Sequence, residues 1–175
     1  KAIYDHKIQD VAEILNFLDN GIKSTLRQSS NSQMKEGMDI ALCCYDKKNN
    51  TITYVGAFSP LYLMRNKELL IFQPDSQPIG IAFRREFKPF TSQTIPLQKN
   101  DIVYLFSDGY FDQFGGPKRK KMLKSHFKNL LLQIHELPMS LQHQSLEKYF
   151  EQFRQNIVGI NAQIPTPQGL KSLIY

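Results

Sequence analysis

The residue types that could do chemistry are concentrated in one segment, Leu105-Phe106-Ser107-Asp108-Gly109-Tyr110-Phe111-Asp112. The apolar run before it predicts a buried strand over residues 102–106, which would hold a following carboxylate rigidly. Asp108 is then a hard oxygen ligand of the kind that Mg²⁺ and Mn²⁺ prefer, and Gly109 would let the backbone approach a ligand closely. Asp112 could face the same site if the chain turns helical. The spacing is as compatible with Asp108 simply capping the next element.

A second feature with chemical potential is a basic run in a chain of net charge +6, made of Lys118, Arg119, Lys120 and Lys121. Lysines at 124 and 128 continue the run at helical spacing, and such runs are usually a solvated helix face. Recognition of a phosphate or contact with a partner protein is the sharper interpretation. Nucleic acid is the minority interpretation, because no zinc-finger, RNA-binding or helix-turn-helix pattern accompanies the run.

Several common enzyme classes lack their motifs in this sequence. There is no Gly-x-Ser-x-Gly elbow, no phosphate-binding loop and no dinucleotide fingerprint, and the four histidines form no metal-ligand pattern. The sequence therefore assigns no catalytic side chain. Adjacent strand residues point to opposite faces, so Cys43 and Cys44 cannot pair with each other. Two unpaired and buried thiols suit a reducing cytoplasm, where we expect the chain or a larger sensor protein that contains it.

The spacing of apolar residues predicts the order of the elements. A helix is predicted over residues 11–28, with Asp10 as N-cap and Glu13 completing a capping-box-like start. Strands are predicted at about 38–45 (buried on both sides) and 51–55, joined by a turn at 46–50, and at 61–65 and 68–72, joined as a tight hairpin at Asn66-Lys67. A further pair of strands, 87–95 and 102–106, is joined by a turn at 98–101, and two helices follow at 118–134 and from 140 onward. This order indicates an α+β domain with antiparallel sheets and helices outside them. The length of 175 residues fits one domain, and no apolar run approaches the roughly 20 residues of a membrane helix.

Four segments, in this order along the chain, resemble those of one enzyme family. The segment from Tyr104 to Lys118 is similar to the metal-site segment of SpoIIE-like phosphatases, which are members of the metal-dependent type 2C (PPM) family. The other three are Gly37-Met38-Asp39-Ile40-Ala41-Leu42, Tyr54-Val55-Gly56-Ala57-Phe58-Ser59-Pro60-Leu61-Tyr62 and Gln77-Pro78-Ile79-Gly80. Together they span about residues 11–155, and the ordered combination is more specific than any one of them.

The resemblance implies an antiparallel β-sandwich flanked by helices, in α/β/β/α layers, as a single domain over residues 1–175. It implies two Mn²⁺ or Mg²⁺ ions, which activate water to hydrolyse phosphoserine or phosphothreonine in a bacterial signalling protein. Asp108 is carried over as a metal ligand, with Asp112 as the second acidic position and Gly109 shaping the backbone. The implied partners are a phosphoprotein, such as an anti-sigma-factor antagonist, and a regulatory sensor domain.

The sequence departs from the family pattern at both ends. The family's first metal motif, an Asp followed by Gly-His-Gly, does not precede the first helix, and no Asp occurs beyond Asp112, where the family places an acidic pair. Residues 156–175 form a divergent tail. Because Lys1 is not Met, a missing first segment, with its strands, is one explanation and degeneration is the other. We expect the isolated chain to be weakly active or inactive; a non-catalytic, partner-binding module is the alternative.

Overall fold

The computed structural model of the chain describes residues 9–25, 37–81, 88–116 and 119–155. Within them lie three helices and eight strands, with a short 3-10 turn between β6 and β7. In chain order the elements are α1 Val11–Thr25, β1 Ile40–Asp46, β2 Thr51–Ala57, β3 Leu61–Arg65, β4 Glu68–Phe72, β5 Gln93–Pro96, β6 Ile102–Tyr104, the turn Asp108–Tyr110, β7 Phe114–Gly115, β8 Lys120–Lys121, α2 Lys124–Ile134 and α3 Met139–Arg154. Of the helices described, none is long and apolar enough to cross a membrane.

Helix α1 begins where the sequence predicted. The Oδ1 atom of Asp10 accepts hydrogen bonds from the backbone N of Ala12 and Glu13, at 2.8 and 3.0 Å. These bonds satisfy two of the N–H groups that a helix start leaves without partners, which confirms the predicted N-cap. The apolar side of α1 packs on one face of the first sheet. The predicted continuation to Gln28 lies outside the described residues.

The first sheet has the strand order β1-β2-β5, and its pairings are antiparallel. The turn from β1 to β2 is predicted correctly, and Asp46 Oδ1 accepts the backbone N–H of Lys48 at 2.8 Å. The prediction that β1 is buried on both sides is wrong at its end. Cys43 packs into the core between the sheets, whereas Cys44 and Tyr45 are exposed. The reason is that β1 is an edge strand.

The second sheet has the order β4-β3-β6. Its β3–β4 hairpin is confirmed, and Asn66 and Lys67 both have positive φ, at 49° and 68°, as a two-residue type I′ turn requires. The two sheets share a core formed by residues of all six strands. Its members include Ala41, Cys43, Ile52, Tyr54, Leu61, Leu63, Leu70, Phe72, Ile95 and Val103. With α1 on the other face of the first sheet, this gives an α/β/β arrangement, in agreement with the predicted α+β class.

Strands β5 and β6 are shorter than predicted and do not pair with each other. Residues 88–92 are not strand, and Phe87 lies outside the described residues. The chain turns at Gln98, whose backbone N donates to Asp101 Oδ2 at 2.8 Å. It thereby passes from the first sheet to the second, because β5 pairs with β2 whereas β6 lies beside β3.

The chain divides into two compact units, Lys1–Leu63 with Leu70–Ser107, and Met64–Leu69 with Asp108–Tyr175. The second unit contains α2 and α3, whose buried residues are Phe127, Leu130, Leu131, Ile134, Gln142, Ser145 and Phe153. Helix α3 starts next to the predicted Ser140. The prediction that α2 starts at residue 118 is wrong, because residues 120–121 pair with β7 instead. Gly116, with φ of 66°, accepts the backbone N–H of Arg119 at 3.0 Å and so closes a turn rather than a helix.

Candidate functional site

Asp108 opens a 3-10 turn rather than following directly on a strand. Strand β6 ends at Tyr104, and residues 105–107 are irregular. The backbone carbonyl of Asp108 accepts the N–H groups of Phe111 and Asp112, at 3.0 and 2.8 Å. Its side chain is exposed and makes no hydrogen bond or ion pair within the described part of the chain. The carboxylate therefore makes no capping hydrogen bond to the turn within the described residues.

Asp112 lies one turn further on, as the helical spacing required. Its Oδ2 atom forms an ion pair with Lys121 Nζ at 2.9 Å. Both side chains are about half exposed, 52% for the lysine and 45% for the aspartate. The sequence placed Lys121 in a solvated basic run and did not predict its ion pair with Asp112. The β7–β8 pairing brings the two residues together, and its sequence signature is limited to two adjacent glycines.

Gly109 occupies the middle of the 3-10 turn. Its carbonyl accepts the side-chain amide of Gln113 at 3.3 Å. Gly109 is not among the residues with positive φ, so the turn itself does not require glycine at this position.

Two aromatic residues fix the turn within the second unit. The Tyr110 hydroxyl donates to the carbonyl of Leu146 at 2.7 Å, and its ring centroid lies 5.2 Å from those of Phe127 and Phe150. Phe111 is buried and lies 6.0 Å from Phe127. Burial, and secondarily the nearby Tyr149, raise the pKa of Tyr110 well above its usual value, so its hydroxyl stays a donor. These contacts hold the segment that carries both aspartates.

The basic run is a β-hairpin end, not a helix face. Lys118 lies outside the described residues, Arg119 is in the turn and Lys120 is in β8; the last two are exposed. Within the described residues, Arg119 and Lys120 make no ion pair, whereas Lys121 binds Asp112. Lys124 Nζ stands 5.4 Å from the centroid of the Phe111 ring. The run therefore projects positive charge beside the acidic segment.

The acidic side chains do not by themselves make a two-metal centre. Among the residues described, no three His, Cys, Asp or Glu side chains come together in a way that could hold a metal ion. Asp108 and Asp112 give two carboxylates, one of which a lysine already partly neutralises. A pair of divalent cations needs more oxygen ligands than that. Asp108 can serve as one ligand, but the set as a whole does not fit two ions.

A family model described as Stage II sporulation protein E (SpoIIE) matches residues 2–163 of the chain. Comparison with curated protein sequences finds no match.

Solved structures share the fold. The SiaA-PP2C domain of Pseudomonas aeruginosa superposes with a TM-score of 0.74 at 22% sequence identity, over 87% of this chain and 58% of that one. The phosphatase domain of the cell fate determinant SpoIIE from Bacillus subtilis gives 0.51 at 16% identity, over 87% and 62%. The same domain with a fragment of its regulatory domain gives 0.54 at 17% identity, over 87% and 46%. The chain thus spans about half to three fifths of these structures.

Proposed function

Because the chain belongs to the Stage II sporulation protein E (SpoIIE) family, we propose that it is the larger part of a metal-dependent serine/threonine phosphatase domain. Its substrate class is a phosphoprotein of bacterial signalling, such as an anti-sigma-factor antagonist, and a sensor domain would regulate it. The fold it shares with the PP2C domains of SiaA and SpoIIE supports the architecture. At 22% sequence identity or less, this likeness supports the fold alone, and the chemistry has to be argued from the side chains of this chain.

The observation that carries the proposal is the state of the Asp108 carboxylate. It is exposed, it has no partner in the described part of the chain, and aromatic contacts fix the turn on which it stands. Hard divalent cations prefer such oxygen ligands on a rigid backbone. The carboxylate of a purely structural aspartate would be expected to accept hydrogen bonds from nearby backbone N–H groups, as those of Asp10 and Asp46 do.

The chain as it stands should be weakly active or inactive. In the type 2C reaction, metal-activated water hydrolyses the phosphate ester, and the metals would need ligands from outside the described residues. We propose that Mn²⁺ or Mg²⁺ binds here through Asp108 at low affinity. The residues on either side of it would position the carboxylate and take no part in bond breaking.

Mn²⁺ binding by calorimetry, with p-nitrophenyl phosphate hydrolysis followed in the same samples, tests the proposal. We expect weak Mn²⁺ binding that Asp108→Asn lowers by at least about tenfold, the effect of losing a metal-site group. The matched control is Glu13→Gln, which neutralises an exposed carboxylate on α1. Equal Mn²⁺ binding by Asp108→Asn and the parent chain would remove Asp108 from the metal site.

A second candidate function is a non-catalytic module that keeps the phosphatase fold and binds a partner protein. The Lys121–Asp112 ion pair favours it, because a cation of the protein occupies the second acidic position. This candidate predicts neither Mn²⁺ binding nor hydrolysis, even at millimolar Mn²⁺. Tight Mn²⁺ binding with turnover, both lost in Asp108→Asn, would exclude it.

A further inference from the structure

Strand β1 is the longer edge of the first sheet and lacks the usual protection of an edge strand. It pairs with β2 over all 7 of its residues, and in the sheet order β1-β2-β5 it has no second neighbour among the described strands. Proteins commonly keep edge strands short or place lysine or proline in them, which prevents pairing with another chain. The opposite edge, β5, has 4 residues and ends in Pro96, whereas β1 contains neither lysine nor proline.

Both faces of β1 carry apolar side chains that the single chain covers only in part. Ala41 and Cys43 border the core between the two sheets, and Ile40 and Leu42 pack in the cluster beneath α1. All four are partly buried, and Tyr45, near the end of the strand, is 54% exposed. A strand added alongside β1 would cover this remaining apolar surface and pair with the outward N–H and C=O groups of the edge.

We propose that the edge of β1 is a homodimer interface, at which β1 of a second copy pairs antiparallel with it across a twofold axis. The two three-stranded sheets would then join into one continuous sheet. This interface needs neither a metal ion nor a substrate, so it is independent of the phosphatase chemistry proposed above.

The charges just beyond the ends of β1 favour a second copy as the partner and set the register. Side chains alternate along a strand, and directly opposite residues project to the same side, so the twofold axis places one residue opposite its own copy. With Cys43 on the axis, Asp39 of each copy lies opposite Lys47 of the other. With Cys44 on the axis, Lys47 would instead lie opposite Ala41, within the apolar stretch. The first register is therefore self-complementary in charge, as a twofold interface requires.

The same register gives suitable pairs inside the strand. The small Ala41 lies opposite the exposed Tyr45, and Leu42 lies opposite Cys44. Residues 40–45 carry no charge, so no like charges oppose each other there. A foreign extended peptide could use the same backbone groups, but this uncharged stretch would not select its sequence. A second copy meets the charges at both ends.

Sedimentation velocity of the full 175-residue chain over a range of concentrations tests the proposal. We expect a reversible equilibrium between monomer and dimer, because one strand pair is at the small end of protein interfaces. Cys44→Lys gives the edge a protecting lysine at an exposed position, and it should weaken the dimer roughly tenfold, since two cross-strand pairs are lost in each dimer. Cys44→Ser is the matched control and should dimerise nearly as the parent does. Circular dichroism confirms that both variants fold.

A second variant tests the register. Lys47→Glu would place a carboxylate opposite Asp39 of the other copy, and we expect it to weaken the dimer by about threefold or more. Its control, Lys99→Glu, reverses an exposed charge in the turn before β6 and should leave dimer affinity unchanged. Equal weakening by the two charge reversals would overturn this register.

A nitroxide label on the exposed Cys44 reports on the pairing directly. In the proposed register each Cys44 lies diagonally across from its own copy, with the two Cα atoms about 7–8 Å apart. We expect dipolar broadening of the electron paramagnetic resonance spectrum, which excess unlabelled chain removes. A chain that stays monomeric, a dimer that survives Cys44→Lys, or a labelled dimer without broadening would each overturn the proposal. So would a monomeric chain that binds a labelled peptide of alternating valine and threonine, because the edge would then accept a foreign strand.

Discussion

The Nζ atom of Lys121 lies 2.9 Å from the Oδ2 atom of Asp112, which joins a basic hairpin to an acidic turn. The two residues are nine positions apart in the sequence, and the antiparallel pairing of β7 and β8 brings them together. The ion pair partly neutralises the carboxylate that stands one helical turn from Asp108. Any cation that uses Asp112 must first compete with this lysine.

Replacing Lys121 with methionine should make Asp112 more available to metal. Removing a positive charge from beside a carboxylate favours a second cation there, so we expect Mn²⁺ affinity to rise by up to about tenfold in calorimetry. Stability should change by less than about 1 kcal/mol, because both partners are half exposed. Lys67→Met is the control, since it removes an exposed lysine that pairs with Glu136 at 2.7 Å. Unchanged Mn²⁺ affinity in Lys121→Met would mean that Asp112 is not a ligand.

Gly56→Ala and Gly21→Ala should change stability in opposite directions. A Cβ atom on Gly56 would overlap the Tyr54 hydroxyl and the Ser59 carbonyl, which are hydrogen bonded to each other in the buried core. Overpacking of this kind costs about 1–3 kcal/mol. Gly21 lies within α1, and a Cβ atom added there would meet nothing within 4 Å, so alanine should stabilise the helix by about 0.5–1 kcal/mol.

Urea unfolding followed by circular dichroism measures both glycine variants. The midpoint should fall for Gly56→Ala and rise for Gly21→Ala, with similar slopes. A stable Gly56→Ala protein would contradict the close contact described between β2 and the turn that follows it.

Local patterns predicted the helix start and the tight turns well. The N-cap at Asp10, the turn after Asp46 and the tight hairpin at Asn66-Lys67 depend on contacts between residues close in the chain, and all three are confirmed. Which strands β5 and β6 pair with could not be predicted from neighbouring residues. Both flank a good turn signal, but which sheet a strand joins depends on partners 40 or so residues away.

The candidate site shows the same division. Asp108 could be singled out because a small residue, an acid and a glycine follow an apolar run. The ion pair of Asp112 and the anchoring of Tyr110 on Leu146 could not be, because each depends on the tertiary position of β8 or α3. Lysines at 120, 124 and 128 have helical spacing, and this pattern predicted that the helix includes the basic run. In the structure a turn closes at Gly116, and α2 starts only at Lys124.

Asp19 should be a large contributor to the stability of the first unit. It is fully buried on α1, where its Oδ1 accepts the N–H of Gly80 at 2.7 Å and its Oδ2 accepts from Lys23 Nζ at 2.6 Å. Asp19→Ala removes the acceptor of a buried N–H and one partner of Lys23, and we expect the free energy of unfolding to fall by about 1.5–3 kcal/mol. Thermal unfolding measures the loss. Asp19→Asn keeps an acceptor for Gly80 and should lose less.

An Asp19→Ala protein as stable as Asp19→Asn would show that the contact with Gly80 contributes little. Lys23→Met measures the contribution of the Asp19–Lys23 ion pair, because it removes the lysine but keeps the hydrogen bond from Gly80 to Asp19. We expect Lys23→Met to lower the stability as well, because it leaves the fully buried carboxylate of Asp19 without this cation.

The adjacent thiols should differ in reactivity and in their effect at alkaline pH. Burial, and secondarily the neighbouring Cys44, raise the pKa of Cys43 from 9.0 to about 11. Iodoacetamide below pH 9 should therefore label exposed Cys44 first, and peptide mass spectrometry reads the ratio. Because the folded state holds the Cys43 proton more tightly, its contribution to stability is complete below pH 9 and is lost as the pH rises towards 11. Cys43→Ala should flatten this alkaline fall in urea midpoints, whereas Cys44→Ala should leave most of it. Equal labelling of the two thiols in the folded chain would contradict the placement of Cys43 in the core.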